Sequence, residues 1–385
     1  MITAELRQAI LAAVGPAGAE DGDPLLRPGP APGSYASSLP FRLARPGQDP
    51  REVAAALASR LAGEPWIAVA EVTGRGFLTV TVTHDALAGL AVRIVQAGPA
   101  CTQSDALRGC TVPAAPPGPM AAAPDWPQAR VALAAQLTAR LAAVAGATVF
   151  LYPERSSVPA PAPLPAAQPE GRSAAQPTAH PLAQPTAHPL AQPTAHPLAQ
   201  PIAHLLAQPI ALPEDGPVAA AARYAGADAV RFALARMPPG GSAGGPVGGA
   251  APVAAVLAQH VLANPAYAVR YAHAAAAAVL RWAAALGTRP AGFTPRLLAE
   301  PGELALLDAL SWLPERVAVA ARRGRPDAFA GYLEELAART IETMSTTSFT
   351  TVSSISSERL WLADAARAGL AAGLGLLGID APSRL

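Results

Sequence analysis

Two tyrosines one helical turn apart, Tyr267 and Tyr271, flank an arginine and precede a histidine in the run Asn264-Pro265-Ala266-Tyr267-Ala268-Val269-Arg270-Tyr271-Ala272-His273-Ala274. On a helix the i, i+4 spacing puts both rings on one face. Aromatic rings so placed can stack on unpaired nucleic-acid bases, and Arg270 can meet a phosphate or stack in turn. The same pattern also fits an amphipathic helix whose tyrosines line a core with their hydroxyls at its edge. A second basic element, Arg322-Arg323-Gly324-Arg325, is the densest cationic cluster of the chain. It could engage phosphate, although a helix C-terminus favours cations for dipole reasons alone.

Other chemistry is scarcer. The chain has 28 basic residues, all arginine, because no lysine occurs in it. That removes the lysine-bearing phosphate loop of nucleotide hydrolases and Schiff-base catalysis. There is no G-x-S-x-G motif and no glycine-rich loop between a strand and a helix. His84, His260 and His273 stand alone in sequence and read as structural or exposed groups. Cys101 and Cys110 lack the spacing of a metal site and read as reduced thiols. No metal ligand set is expected.

The elements that must position these residues are spread over 385 residues of 51% hydrophobic composition, enough for two or three domains. The net charge of +1 creates no long-range field, so any nucleic-acid contact must come from a local surface. No signal peptide and no apolar run of about 18 uncharged residues is evident, so a soluble cytoplasmic protein without a membrane partner is expected. Helical spacing of Leu6, Ile10, Leu11 and Val14 predicts a first helix ended by Gly15-Pro16. A polar, proline-rich loop follows. Asp49-Pro50 reads as an N-cap and first-turn proline opening a helix to Leu61. Residues 66–72 and 77–82 around Gly74-Arg75-Gly76 read as a β-hairpin.

Helical periodicity returns over Arg130–Val144. From Pro159 to Pro213 the octapeptide Ala-Gln-Pro-Thr-Ala-His-Pro-Leu recurs. Such proline density excludes helix and sheet and predicts an extended, disordered linker, a spacer between domains. His180, His188, His196 and His204 recur every eight residues, which at about 3.1 Å per residue sets successive imidazoles roughly 25 Å apart. One ion would need the chain to loop back for each ligand, so repeat expansion is the simpler account. Beyond it, helices are expected near Val253–Leu262, with Asn264 as N-cap of the long helix that Gly287 closes, and then over Glu303–Trp312, Pro314–Arg322, Pro326–Met344 and Ser357–Leu377. A Ser/Thr-rich loop joins the last two.

Several of these stretches resemble the arginyl-tRNA synthetase family. The Asn264 run is similar to that family's N-P-x-Y-Y-V-Q-Y-A-H-A-R, with Ala268 and Ala275 in place of a tyrosine and an arginine. Gly226-Ala227-Asp228-Ala229-Val230-Arg231-Phe232 resembles its G-A-D-A-L-R-Y, and the end from Gly373 to Leu385 resembles its terminal G-L-x-L-L-G-I-x-x-P-E-R-M. Gly33-Ser34-Tyr35 resembles G-D-Y of the family's N-terminal domain, and Gly74-Arg75-Gly76-Phe77-Leu78 resembles G-P-G-F-I.

The resemblance implies a mainly α chain. A small α+β N-terminal domain over 1–98 would precede a catalytic remnant over 99–158, a linker over 159–213 and an anticodon-binding helical bundle over 221–385. It implies tRNA, tRNA-Arg in particular, as partner, with Tyr267, Arg270, Tyr271, His273, Tyr35 and Ser38 as contacts, to which the basic cluster adds Arg322, Arg323 and Arg325 on charge alone. Ser38 stands where the family places an asparagine that helps read a D-loop base.

At the family's H-V-G-H-L-R position the chain has Asp125-Trp126-Pro127-Gln128, so both histidines that would stabilise adenylation are missing, as is the lysine-rich ATP loop. Three functions remain open: a non-catalytic tRNA binder with a catalytic or regulatory protein partner, an ATP-dependent arginine-tRNA ligase, and a protein-interaction module that has lost RNA. No cofactor is expected, save ATP under the ligase reading.

Overall fold

A computed structural model describes residues 1–15, 23–114, 125–151, 210, 212–238, 253–351 and 355–385. The repeat and its four histidines lie outside the described residues.

The first helix, α1 (Ile2–Val14), buries Ile2, Leu6 and Ile10. Strands β1 (Leu26–Pro28) and β2 (Ser34–Ser37) and the short helix α2 (Leu39–Leu43) lead to α3 (Pro50–Leu61). Asp49 caps α3 by accepting a hydrogen bond from Arg51 N–H, and Pro50 supplies the first-turn residue, as the sequence predicts. The hairpin β3 (Ile67–Thr73) and β4 (Phe77–Val82) completes an antiparallel sheet of order β1-β2-β4-β3. Its turn needs glycine at residue 76, where φ is +124° and a Cβ would lie 2.9 Å from Pro50.

The sequence predicts only the hairpin of this sheet; β1 and β2 fall in what reads as a proline-rich loop. Three- and four-residue strands carry too few alternations to register as a pattern, and the pairing of β2 with β4 and of β1 with β2 supplies what local propensity does not. Helices α4 (His84–Ala88) and α5 (Leu90–Ala97) follow, and a 3₁₀ turn over Gly98–Thr102 buries Cys101.

The middle of the chain forms one parallel β-α-β unit: β5 (Thr111–Ala114), α6 (Trp126–Val144) and β6 (Thr148–Leu151). Asp125 caps α6 by accepting from Gln128 N–H, so the helix starts four residues before the periodicity suggests. Then come α7 (Gly216–Ala225), α8 (Ala227–Arg236), the short α9 (Ala254–Leu257) and the long α10 (Pro265–Ala285). The bundle continues with α11 (Pro301–Ser311), α12 (Leu313–Arg323), α13 (Pro326–Met344), α14 (Thr347–Thr350) and α15 (Ser357–Leu376).

Three readings are corrected here. The helix expected to reach Leu262 ends at Leu257, because the Asn264 side-chain amide donates to the carbonyls of Leu257 (2.9 Å) and Gln259 (2.8 Å) and holds the intervening chain as a turn. Asn264 is the residue before α10 but makes no side-chain cap, its amide being committed backwards. Within the Ser/Thr-rich loop, Thr347–Thr350 forms a helical turn.

The N-terminal domain and the bundle share one hydrophobic core. Gly33 N–H donates to Asp308 (2.9 Å), Tyr35 Oη donates to Ser311 Oγ (2.7 Å), and Thr3 donates to the Ser311 carbonyl (2.7 Å). Arg7, 7% exposed at its side chain, donates to both carboxylate oxygens of Glu315, 4% exposed, at 2.8 and 2.6 Å. Each of these bonds crosses between the two domains, and the buried Glu315 has Arg7 as its only side-chain partner among the described residues. The two ends of the chain are therefore one packed body, not units held apart by a spacer.

Candidate nucleic-acid interface

Helix α10 carries the aromatic pair. Its inner face buries Ala266, Val269, Ala272 and Ala276, small residues that let it lie close against α13 and α15. On the outer face Tyr267 and Tyr271 stack with centroids 5.8 Å apart and planes 28° from parallel. The turn preceding the helix adds a third ring: His260 stacks on Tyr267 at 5.3 Å and 9°. Tyr271 is 38% exposed and His260 is exposed, so the ladder His260–Tyr267–Tyr271 opens to solvent. His260, read from sequence as an isolated histidine, belongs with the tyrosines because the Asn264-braced turn folds it back; an i, i+7 spacing across a non-helical turn gives no pattern to find. Exposed Val256, Val261 and Leu262 lie on α9 and the turn beside it.

The remaining expected contacts fall elsewhere. Arg270 lies 3.9 Å from Asp228, which also pairs with Arg231 at 3.0 Å; Arg231 in turn donates to the Ile210 carbonyl. The Asp228–Arg231 stretch thus ties α8 to α10 and to the incoming chain. His273 points inward, 3% exposed, with Nδ1 2.9 Å from the Pro382 carbonyl, and Arg281 binds the Ser383 carbonyl. These contacts lash the C-terminal tail to α10 and withdraw His273 from any RNA contact surface.

Burial holds the His273 pKa below 6.5, with Arg367 adding to the shift and the Pro382 hydrogen bond opposing it. A histidine depressed in the folded state is neutral there while its unfolded counterpart takes up a proton. Stability is therefore expected to fall as pH drops below about 6.5, and the fall should flatten in His273→Gln. Urea midpoints of both proteins at two pH values on either side of 6.5 check this.

Tyr35 is 1% exposed, packs on Trp312 at 5.3 Å, and is tied to Ser311; its burial drives the hydroxyl pKa far up. It is a core residue of the domain junction and presents no face to RNA. Ser38, half-buried, precedes α2. Arg322 pairs with Asp23 and Arg325 with Asp327 at 2.7 Å, whereas Arg323 is exposed. The residues read as one site thus separate into the α10 ladder, a buried junction and a basic helix end.

At the start of α6, Asp125 occupies the N-cap and Trp126 is buried. A carboxylate there takes the place that a phosphate would need at a helix N-terminus. Among the described residues no cluster of three or more His, Cys, Asp or Glu could hold a metal ion, and no helix is long and apolar enough to cross a membrane.

Comparison with known proteins fits this layout. The arginyl tRNA synthetase N terminal domain matches residues 1–82, and the DALR anticodon binding domain matches residues 269–385. The arginine–tRNA ligase of Clavibacter sepedonicus is 40% identical over 136 residues, 34% of this chain and 24% of the relative. That of Renibacterium salmoninarum is 37% identical over 170 residues, 42% and 29% of the two. The matched segments span less than a third of these relatives' length. Thermus thermophilus arginyl-tRNA synthetase shares the fold, with a TM-score of 0.61 at 16% identity and all of both chains covered. At both ends the chain is thus similar to arginyl-tRNA synthetases.

Proposed function

We propose that this protein binds tRNA, tRNA-Arg in particular, through the α10 face and without catalysing aminoacylation, in a regulatory or auxiliary role. The observation that carries the reading is the solvent-facing stack His260–Tyr267–Tyr271, which runs into the start of the segment, residues 269–385, matched by the anticodon-binding domain. Anticodon-loop bases are unpaired, and aromatic platforms take them with little sequence demand. The absence of adenylation is supported by the Asp125-Trp126-Pro127-Gln128 start of α6 and by a chain without lysine.

A second reading, a protein-interaction module, is favoured by the pairing of Arg322 and Arg325 with acids and by the burial of Tyr35. Equilibrium binding to tRNA-Arg and to an unrelated tRNA across a salt series separates the two. The proposal expects preference for tRNA-Arg and affinity that falls linearly on a log–log salt plot. No binding to either would leave the interaction reading. Arginine-dependent ATP–pyrophosphate exchange by the purified chain would overturn the non-catalytic part and restore the ligase reading, with ATP as co-substrate.

A further inference from the structure

A cleft of about 250 Å³ lies where strand β1 meets helix α12, lined by Leu26, Arg27, Trp312, Arg316, Arg322 and Arg323 among others. Charge balance distinguishes it from an ordinary arginine-rich surface. The acids nearby, Asp23 and Glu315, are answered by Arg7 and Arg322: Arg7–Glu315 and Arg322–Asp23 cross the domain junction, and Arg7–Asp23 lies within the N-terminal domain. Burial pushes the Asp23 carboxyl upward, but Arg7 and Arg322 outweigh it and hold the group below its ordinary value, so it stays charged and committed to them. Arg27, Arg316 and Arg323 then remain with no ion pair or hydrogen bond among the described residues.

Arg316 is the best placed of these. Its guanidinium sits over the rings of Trp312 at 5.6 Å and Tyr332 at 5.8 Å, and its Nε is buried with no hydrogen-bond partner. Two aromatic contacts fix the fork while contributing no acceptor oxygens. Asp308 and Glu335 line the adjoining recess, which also includes Arg316; Asp308 spends an oxygen on Gly33 N–H. A fixed guanidinium with two exposed arginines at the rim is suited to a tetrahedral dianion or phosphodiester, which arginine grips through paired N–H donors.

We propose that this junction cleft binds a phosphate group of an RNA backbone, a second contact separate from the α10 ladder. The cleft exists only while the N-terminal domain is docked, because Arg27 comes from β1 and Arg316 and Arg323 from α12. The RNA part of this assignment rests on the tRNA-binding reading; the phosphate chemistry does not.

The test uses the full-length chain. Arg27→Gln/Arg323→Gln removes two exposed side chains without partners, and Arg316→Gln removes the fixed one, with a thermal melt to confirm folding. The double variant is expected to lower the log–log salt slope of tRNA binding by about two and Arg316→Gln by about one. In parallel, the ¹⁵N-indole resonance of Trp312, assigned through Trp312→Phe, is followed during titration with inorganic phosphate and with a short single-stranded RNA. A shift with RNA, retained in Tyr267→Ala and lost in Arg316→Gln, supports the proposal even if the α10 face binds nothing. Saturation by inorganic phosphate at lower concentration than by RNA would overturn the RNA assignment. An unshifted resonance with both probes, or unchanged salt slopes in folded variants that bind tRNA, would overturn the site.

Discussion

Alanine at Tyr267 or Tyr271 is expected to weaken tRNA-Arg binding by about 5- to 150-fold, the range that follows from roughly 1–3 kcal/mol per stacked base. Phenylalanine at either position should retain most of the affinity, since the stack depends on the ring and neither hydroxyl has a hydrogen-bond partner among the described residues. Tyr267 is the larger expected loss, because it is the middle ring and its removal also frees His260. The salt slope should stay near that of the parent protein, for no cation is removed. Equilibrium binding with the alanine, phenylalanine and His260→Ala proteins checks the prediction. Unchanged affinity in folded alanine variants would mean that the rings only brace the Asn264 turn.

The second large effect concerns stability. Removing one partner of the Arg7–Glu315 pair, as in Arg7→Ala, strands a carboxylate that is 4% exposed and has no other hydrogen-bond donor among the described residues. A buried pair broken in this way costs about 3–5 kcal/mol, whereas replacing both partners by apolar residues of similar volume is often neutral or stabilising. Arg7→Ala should therefore lower the urea midpoint strongly, and Arg7→Met/Glu315→Leu should recover most of it. Arg7 also holds Asp23, so the double replacement will remain somewhat below the parent if Arg322 alone does not satisfy that carboxylate. Equal destabilisation by the single and double replacements would show that the pair does not act as a unit.

What was legible in the sequence was local. The Asp49-Pro50 start, the Gly74-Arg75-Gly76 turn and the helix opened by Asn264-Pro265 each carry their signal within a few residues, and the elements fall where those signals place them. The short strands β1 and β2 were not legible, because non-local pairing decides them, β2 with β4 and β1 with β2. Neither was the role of Tyr35: its landmark tripeptide suggests an exposed contact, but its hydroxyl partner is 276 positions away. The same holds for His273, whose acceptor is the carbonyl of Pro382, and for Arg322, whose acid is Asp23. The ladder was half legible. The i, i+4 tyrosines follow from helix geometry, while His260 depends on a turn that one side-chain amide pins.

Val149 and Ile210, which flank the octapeptide stretch, are buried in the same hydrophobic core as the N-terminal domain and the bundle. The stretch between them joins parts of one core. The entropy of closing a loop grows only with the logarithm of its length, so each doubling costs about 0.6 kcal/mol. For a spacer of the kind that the proline content predicts, octapeptide copies can therefore be gained or lost at almost no thermodynamic penalty, and their number is a quantity that selection for stability would leave unpoliced.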